Sequence, residues 1–397
     1  MNRPARPRSL AGATILQLVP ALVDDTAANA AVDIARTLVQ SGARAIVAGD
    51  GGPLVSELHT FGAEWVPMNL GSYNPFRLRA NARLLAQLIA AERVDIVHAH
   101  HAVAAWSALT ATQTQPVFLV TSFGDRLPKT GWPATQLGRS LARGARVIAP
   151  STYISLSMMA RYGIPADRIT VIPRAIDTDT FNPAAISGDR IAALRRVWGI
   201  LPDMRVVVVA GRIAPWNGQM TALEAARLIA ADRRDVNFIF VGDDRAQPRY
   251  AASLRRRAGT HAIETLCRFV GHCSDMPAAF AAADIVVVPA MRPPLSGRLA
   301  AQAQAIGRAV VTTAVGMLPE NVLTPPRMRG ELRTGWVVRP GRPGELAEAI
   351  NSALALDRTA ADALGARARE FAEFMFSPQS VAAAIRDVYT SLLSRDR

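Results

Sequence analysis

The sequence contains few cysteines, few aromatic residues and no long uninterrupted apolar run. Two cysteines among 397 residues are too few for a disulfide framework and favour a reducing compartment. Hydrophobic residues make up 50% and charged residues 19%, a composition that excludes a disordered chain or a fibre. The apolar runs are far shorter than the ~20 residues that a membrane-spanning helix needs, so no such helix is expected. The length predicts two or three domains.

Lysine is nearly absent, whereas arginine is abundant. All but one of the 45 basic residues are arginine, Lys129 being the exception, and the net charge is +13. The excess is spread along the chain and favours anionic partners such as phosphosugars, nucleic acid or a cytoplasmic membrane face. A dispersed surface charge without a partner is the alternative. No zinc finger, aromatic RNA platform or basic tail supports a nucleic-acid binder.

The amino-terminal residues combine positive charge with an apolar run. Three arginines among the first eight residues precede the run Ala13–Val23, as in a secretory signal. Gln17 and Pro20 interrupt that run, so we predict a disordered basic arm over residues 1–12 followed by a buried strand. A cytoplasmic protein is expected, and secretion is the alternative.

Short apolar runs alternate with amphipathic helical segments along almost the whole chain. The predicted strands of the first half are Ile15–Val19, Ala45–Ala48, Trp65–Met68, Asp95–Val97, Val117–Val120, Arg146–Ala149 and Ile169–Ile172. Those of the second half are Val206–Ala210, Phe238–Val241, Leu266–Val270, Ile285–Pro289 and Ala309–Thr312. Nearly continuous apolar strands between helices predict parallel sheets covered on both faces.

The alternation is interrupted once, by a polar segment with the features of a linker. Residues 176–187 include Pro183 and separate two strand-and-helix arrays. We therefore predict an α/β protein with a first Rossmann-like domain over 13–180, completed by a carboxyl-terminal helix over 378–394, and a second over 188–377. Two such doubly wound domains face a central cleft, where ligands bind outside the carboxyl ends of the strands. The architecture alone does not specify the ligand.

Several short motifs occur in a characteristic order. They are Val147–Ser151, Tyr162–Pro165, Ile169–Asp177, Val209–Arg212, Phe240–Asp243, Phe269–Gly271, Asp284–Pro289, Gly307–Val311 and Gly335–Val337. From about Ile15 to its end, the chain resembles glycosyltransferase family 4. That resemblance implies the GT-B fold and transfer of a sugar from a nucleotide-sugar with retention of configuration, without a metal or other cofactor. It further implies that the first domain binds the acceptor and the second binds the donor.

In the second domain, the resemblance implies a set of residues around the donor. Gly211 and Arg212 match a glycine–arginine pair, and Arg212 would neutralise the leaving diphosphate. Asn217 stands where the family has a lysine, and it can donate a hydrogen bond without neutralising charge. Pro294 and Gln302 stand where the family has two glutamates. Gln302 could still bond to ribose hydroxyls.

Two further donor-site residues lie towards the end of the second domain. Gly316 and Glu320 match the family's next loop, although an acidic residue in a first helical turn also has an ordinary dipole role. We also advance the hypothesis that Arg292 reaches phosphate in place of the glutamate missing at Pro294.

In the first domain, the expected glycine-rich loop is replaced by residues 24–28, which begin with Asp24 and Asp25. At about 4 Å and an effective dielectric near 20, each carboxylate would repel a phosphate charge by roughly 4 kcal/mol. His100 matches the second histidine of a His-x-His strand end and is a candidate catalytic residue. The alternative is a solvated polar residue at a strand end. A family histidine expected after Thr121 is absent.

Two main functions remain open from the sequence. The first is a transferase that moves a sugar to a saccharide or lipid-linked acceptor of the cell envelope or lipopolysaccharide type. The second is an inactive relative that serves as a binding or regulatory partner, because four customary site residues are missing. Arg77, Arg79 and Arg83 could dock the protein peripherally on the inner membrane, although an ordinary core helix explains them equally.

Overall fold

The computed structural model describes residues 9–124, 132–294 and 296–394. The chain forms two compact units, each built on its own parallel sheet. The first comprises the described residues up to Arg174 together with those from Pro378 onwards, and the second comprises Ala175–Ser377. The second unit is therefore an insertion in the first.

The first unit is a seven-stranded sheet covered by helices. Its strands are β1 Thr14–Ala21, β2 Arg44–Asp50, β3 Glu64–Pro67, β4 Ile96–Ala99, β5 Phe118–Ser122, β6 Arg146–Ala149 and β7 Ile169–Val171. Its helices up to the insertion are α1 Thr26–Gln40, α2 Leu54–Thr60, α3 Pro75–Ala91, α4 Ala102–Thr112, α5 Trp132–Leu141 and α6 Thr152–Tyr162. The strand order is β3-β2-β1-β4-β5-β6-β7, and every pairing is parallel.

The apolar run near the amino terminus forms the strand β1, and residues 9–12 pack onto the first unit. Leu10 is buried in its core, and the Gly12 amide donates to the Gly42 carbonyl at 2.9 Å. The predicted disordered arm is therefore wrong for residues 9–12, because a buried leucine fixes this turn. Its remainder, residues 1–8, lies outside the described residues.

The second unit contains a six-stranded sheet. Its strands are β8 Arg205–Ala210, β9 Val236–Val241, β10 Cys267–Gly271, β11 Ile285–Val288, β12 Ala309–Thr313 and β13 Gly335–Val338. Its helices are α7 Gly188–Val197, α8 Gln219–Asp232, α9 Pro248–Thr260, α10 Met276–Ala281, α11 Arg298–Ala305, α12 Pro343–Leu354 and α13 Arg358–Phe376. The strand order is β10-β9-β8-β11-β12-β13, again with parallel pairing throughout.

The last helix, α14 Pro378–Leu393, returns to the first unit. Its periodic apolar side chains, from Ile385 to Leu393, join the core of that unit. Tyr389 is completely buried there. The carboxyl-terminal helix thus covers apolar surface that the first 174 residues leave open.

The segment predicted as a linker packs into the second unit. Ile176, Phe181 and Ile186 are buried in one of its hydrophobic clusters. The Ile176 amide donates to the Phe376 carbonyl at 2.8 Å, which joins the start of this unit to its end. Polar spacing residues conceal these three apolar anchors in the sequence.

The sequence-based fold prediction of two doubly wound parallel sheets is confirmed. Each predicted strand coincides with an observed one to within two residues at either end. Strand β13 was not predicted as a strand, although the sequence analysis selected Gly335–Val337 as a motif. No helix in the described part of the chain is both long and apolar enough to cross a membrane.

Candidate functional site

Each sheet has one point where the strand order reverses. In the first unit this switch lies between β1 and β4, and in the second it lies between β8 and β11. Ligands of open α/β sheets bind outside the carboxyl ends of the strands at such switch points. The loops after these four strands therefore define two candidate sites, one in each unit. They contain most of the residues selected from the sequence.

The loop after β8 has a backbone that only glycine permits. Gly218 has φ +76°, and a Cβ there would stand 1.8 Å from the Pro289 carbonyl oxygen. Gly242 approaches the same loop so closely that its Cβ would lie 2.1 Å from the carbonyl oxygen of Gly211, whose φ is +135°. Three glycines thus hold the loops after β8, β9 and β11 in direct backbone contact.

Arg212 combines an anchored backbone with an exposed side chain. Its carbonyl oxygen accepts from Asn217 Nδ2 at 2.7 Å and from Gln219 Nε2 at 2.8 Å. Its guanidinium is exposed and forms no ion pair with any other described residue. Arg245, by contrast, is held by the carboxylate of Asp243 at 2.8 Å. Arg212 therefore presents an uncompensated cation on a rigid loop at the switch point.

Asn217 has a structural task in the same loop. Its side-chain amide donates to the Arg212 carbonyl, so the group at the expected lysine position holds the loop and supplies no positive charge. Arg212 supplies the positive charge of this loop, and Asn217 fixes its backbone through this hydrogen bond.

The remaining donor-site candidates lie on the β11 and β12 side of the same switch point. Gln302 is half-buried on α11, and Arg292 is exposed in the loop that follows β11. Gly316 has φ +59°, and its Cβ would stand 2.8 Å from the Pro293 Cβ. This close approach brings the turn that contains the half-buried Glu320 against the loop after β11. Arg212 and Glu320 thus lie in turns that follow strands of this sheet, and Gln302 lies on the helix that follows β11.

The helix that follows β1 has its amino terminus capped by an acidic side chain. Asp25 Oδ1 accepts from the backbone amides of Ala27 and Ala28 at 2.9 and 2.8 Å. Asp24 Oδ1 accepts from Asn29 Nδ2 at 2.8 Å. The amides that would bind a phosphate at a helix amino terminus are therefore already bonded to a carboxylate.

His98 is buried in the centre of the first unit and joins its last helix to the sheet. Its Nδ1 lies 2.6 Å from the Tyr389 hydroxyl, and its Nε2 lies 2.7 Å from Ser122 Oγ. Burial, aided by the nearby Arg174 guanidinium, lowers the pKa of His98 to about 3. The alternative of a solvated polar residue at this strand end is therefore wrong, because His98 and His100 are both buried. His98 is a neutral structural residue.

His100 is also buried, and its tautomer follows from its neighbours. Gln17 Nε2 donates to the Ala31 carbonyl at 2.8 Å, which turns Gln17 Oε1 towards His100 Nε2 at 3.0 Å. An amide oxygen only accepts hydrogen bonds, so Nε2 of His100 carries the proton. Burial, with His98 and Arg174 nearby, holds the pKa of His100 well below 6.5. The ring is neutral.

The other ring nitrogen of His100 is a buried acceptor without a donor. His100 Nδ1 is inaccessible to solvent and has no hydrogen-bond partner among the described residues. An unsatisfied buried polar atom destabilises the fold by roughly 1–3 kcal/mol, and a catalytic role is one of the reasons for which such atoms persist. His100 Nδ1, at the end of β4, is poised to accept a hydrogen bond from a hydroxyl.

Gln17 and Tyr389 were not recognised as site residues from the sequence. Gln17 is a polar residue in the middle of an apolar strand, and it pairs in register with His98; that interruption was the available signal. Tyr389 follows His98 by 291 positions, and no local pattern connects them. No group of three or more His, Cys, Asp or Glu side chains within the described ranges could hold a metal ion.

Two units, each built on a parallel sheet with one switch point, match the architecture of the GT-B glycosyltransferases. Comparison with protein families gives the same answer. Residues 27–180 match the model for Glycosyltransferase Family 4, and residues 204–355 match that for Glycosyl transferases group 1. Together these two matches, over residues 27–180 and 204–355, show a glycosyltransferase of the family 4 type.

Curated relatives match part of the chain. It is 32% identical over 255 residues to D-inositol 3-phosphate glycosyltransferase 2 of Catenulispora acidiphila, covering 62% of this chain and 56% of the relative. The match to D-inositol 3-phosphate glycosyltransferase of Mycobacterium tuberculosis is 33% over 211 residues, covering 53% and 41%. The chain thus spans about half the length of these relatives.

Solved structures match almost the whole chain. A glycosyltransferase from Rickettsia africae is 25% identical with a TM-score of 0.82, covering 97% of this chain and 100% of that one. The Anabaena protein HepE in complex with UDP is 22% identical with a TM-score of 0.74, covering 96% and 100%. The HepE likeness concerns the fold alone.

Proposed function

We propose that this protein is a retaining glycosyltransferase that uses a nucleotide-sugar donor and needs no metal ion. The sugar would pass to a hydroxyl of a cell-envelope or lipopolysaccharide-type acceptor, saccharide or lipid-linked. The bond between the anomeric carbon and the diphosphate oxygen breaks, a bond to the acceptor oxygen forms, and the acceptor proton leaves with the diphosphate. Family membership supports this reaction type, and the bound UDP named for HepE supports a uridine nucleotide as the first donor to test.

The observation that carries the proposal is the exposed guanidinium of Arg212, which forms no ion pair with a described residue, on a loop fixed by two amide side chains. Negative charge accumulates on the departing diphosphate in the transition state, and a fixed cation stabilises it more than the ground state. Gln302 on α11 and Glu320 in the turn after β12 are the candidates to bind donor hydroxyls. Gly211 and Gly316 allow backbone to approach the donor closely.

In the first unit, the proposal assigns His100 to the acceptor or the reacting sugar. Once the site opens enough to expose it, its Nδ1 accepts a hydrogen bond from a substrate hydroxyl and gains the partner that no described residue supplies. A neutral imidazole with a low pKa is a weak base, so this contact positions the hydroxyl more than it removes its proton.

Calorimetric titration of the full chain with UDP, UDP-glucose and GDP-mannose tests donor binding, followed by assays of donor hydrolysis. We expect Arg212→Ala to weaken donor binding at least about tenfold, because hydrogen bonds to charged groups contribute roughly 1.5–3 kcal/mol. Arg249→Ala is the matched control, since Arg249 is an exposed arginine on α9. Absence of binding at millimolar nucleotide, or equal losses in both variants, would refute the proposal.

A second candidate function is nucleotide-sugar binding without transfer. It is favoured by Asn217, whose amide is bonded to the backbone where a lysine is expected, and by the Asp25 cap on α1. Donor binding without hydrolysis or transfer to any offered acceptor would select it. In that case Asn217→Lys should strengthen donor binding by restoring the second positive charge.

A further inference from the structure

Helix α3 of the first unit has an outer face that combines apolar side chains with arginines. Phe76 is 79% exposed and Leu84 is 51% exposed, and Tyr73, just before the helix, is 66% exposed. Apolar side chains of this size are normally turned inwards. Half of the large exposed apolar side chains described in the first unit thus lie on or beside this one helix.

The exposed residues of α3 share one side of the helix. At about 100° per residue, Phe76, Arg77, Arg79, Arg83 and Leu84 fall within an arc of about 160°. The opposite side carries the buried residues Leu78, Asn81, Ala82, Leu85 and Ile89. Helix α4 packs on the buried side, and the outer face has no partner within the described residues. We call this outer face, with Tyr73, the α3 surface.

The α3 surface is strongly cationic. Helix α3 contains three arginines and no acidic residue. All three arginines are exposed, and none forms an ion pair with a described residue. Arg255 and Arg257 on α9, by contrast, are paired with Asp244 and Glu224. The charge on α3 is available to an external anion.

We propose that the α3 surface docks the protein on an anionic lipid bilayer. Arginines beside exposed aromatic and aliphatic side chains are the composition of helices that lie in the membrane interface. Each cation near an anionic leaflet adds to the attraction, and the phenyl ring of Phe76 enters the acyl boundary. A soluble polyanion would use the arginines but would leave Phe76 and Leu84 in water. Bilayer binding by this face needs neither donor nor turnover.

Co-sedimentation of the full chain with vesicles, without nucleotide, tests the proposal. We expect binding to phosphatidylcholine vesicles that contain phosphatidylglycerol and little binding to phosphatidylcholine alone. The double variant Arg79→Gln/Arg83→Gln should lower the partition coefficient about 30-fold, since each interfacial arginine contributes roughly fivefold. Phe76→Ser should lower it several-fold through lost apolar insertion.

Matched substitutions in the second unit serve as controls. Arg249→Gln/Arg256→Gln removes the same charge from the exposed side of α9. Phe374→Ser removes a phenylalanine that is 74% exposed on α13. Both controls should bind vesicles like the unmodified chain.

Three outcomes would overturn the proposal: no binding of the unmodified chain to anionic vesicles, equal losses in the α3 and α9 variants, or unchanged binding of Phe76→Ser. The last outcome would show a purely electrostatic surface that suits a soluble polyanion. Because donor titration is measured separately, failure here leaves the transferase proposal intact, and the reverse also holds.

Discussion

Asp25 illustrates how one carboxylate changes the chemistry of a helix amino terminus. Its side chain accepts from two amides at the start of α1, so it stabilises the helix by ordinary capping. The same carboxylate repels a second anion from the helix amino terminus. This one residue thus stabilises the start of α1 and occupies the amides that could otherwise bind an anion.

We expect Asp25→Asn to strengthen any binding of UDP at the amino terminus of α1 by about tenfold. Asparagine retains an oxygen for the capping bonds, and removal of the negative charge relieves repulsion; relief of about 1.4 kcal/mol suffices for tenfold. Calorimetric titration measures the change. Asp357→Asn is the control, because Asp357 caps α13 in the same way. An unchanged affinity would show that Asp25 does not face the nucleotide.

His98 makes the stability of the first unit dependent on pH. The unfolded chain takes up a proton near pH 6.5, whereas the folded His98 remains neutral until about pH 3. The free energy of unfolding therefore falls as the pH drops through that interval, by about 1.4 kcal/mol per pH unit. Urea denaturation between pH 7 and pH 5 should show a shallower dependence for His98→Gln.

The matched control for this pH effect is His59→Gln, because His59 lies exposed on α2. Its pH dependence should equal that of the unmodified chain. A His98→Gln variant that retains the full pH dependence would contradict the prediction and assign the proton uptake to another group.

At the scale of elements, the loop after β8 depends on Gly218. A Cβ at this position would meet the Pro289 carbonyl oxygen, and the positive φ adds strain for any other residue. We expect Gly218→Ala to destabilise the second unit by roughly 1–3 kcal/mol and to weaken donor binding, because it displaces the loop that presents Arg212. Thermal unfolding and titration measure these effects.

Gly259 provides the comparison for this substitution. It lies in α9, and a Cβ there would meet no atom within 4 Å. Gly259→Ala should therefore be neutral or stabilising, since alanine is the better helix former. Equal behaviour of the two variants would refute the claimed close approach at Gly218.

Most elements could be predicted from the sequence, because strands buried on both faces form apolar runs of recognisable length. The anchors of the segment 176–187 could not, since polar residues separate them and their burial depends on distant partners such as Phe376. The same holds for the site. Arg212 and His100 follow local motifs, whereas the roles of Asn217 and Gln17 depend on hydrogen bonds that only the folded chain forms.

At the scale of the whole molecule, the first unit is formed by two separate segments of the chain. The second unit is one continuous segment, whereas the first is closed by α14. We expect residues 175–377 to fold alone, and residues 1–174 to require α14, whose apolar face joins the first core. Circular dichroism and thermal melts of the two fragments, with peptide 378–397 added or withheld, measure this.

A cooperative melt of 1–174 without the peptide would contradict the prediction. Tyr389→Phe in the full chain isolates one contact, because it leaves His98 Nδ1 without its 2.6 Å partner. A loss of roughly 1–3 kcal/mol is expected in the first unit only.

The return of α14 has a consequence for synthesis on the ribosome. The first unit waits for α14 before its apolar surface is covered, while the second unit can close before that helix is made. Nascent chains that stall before α14 emerges would therefore expose an unfinished first unit and become the preferred clients of chaperones.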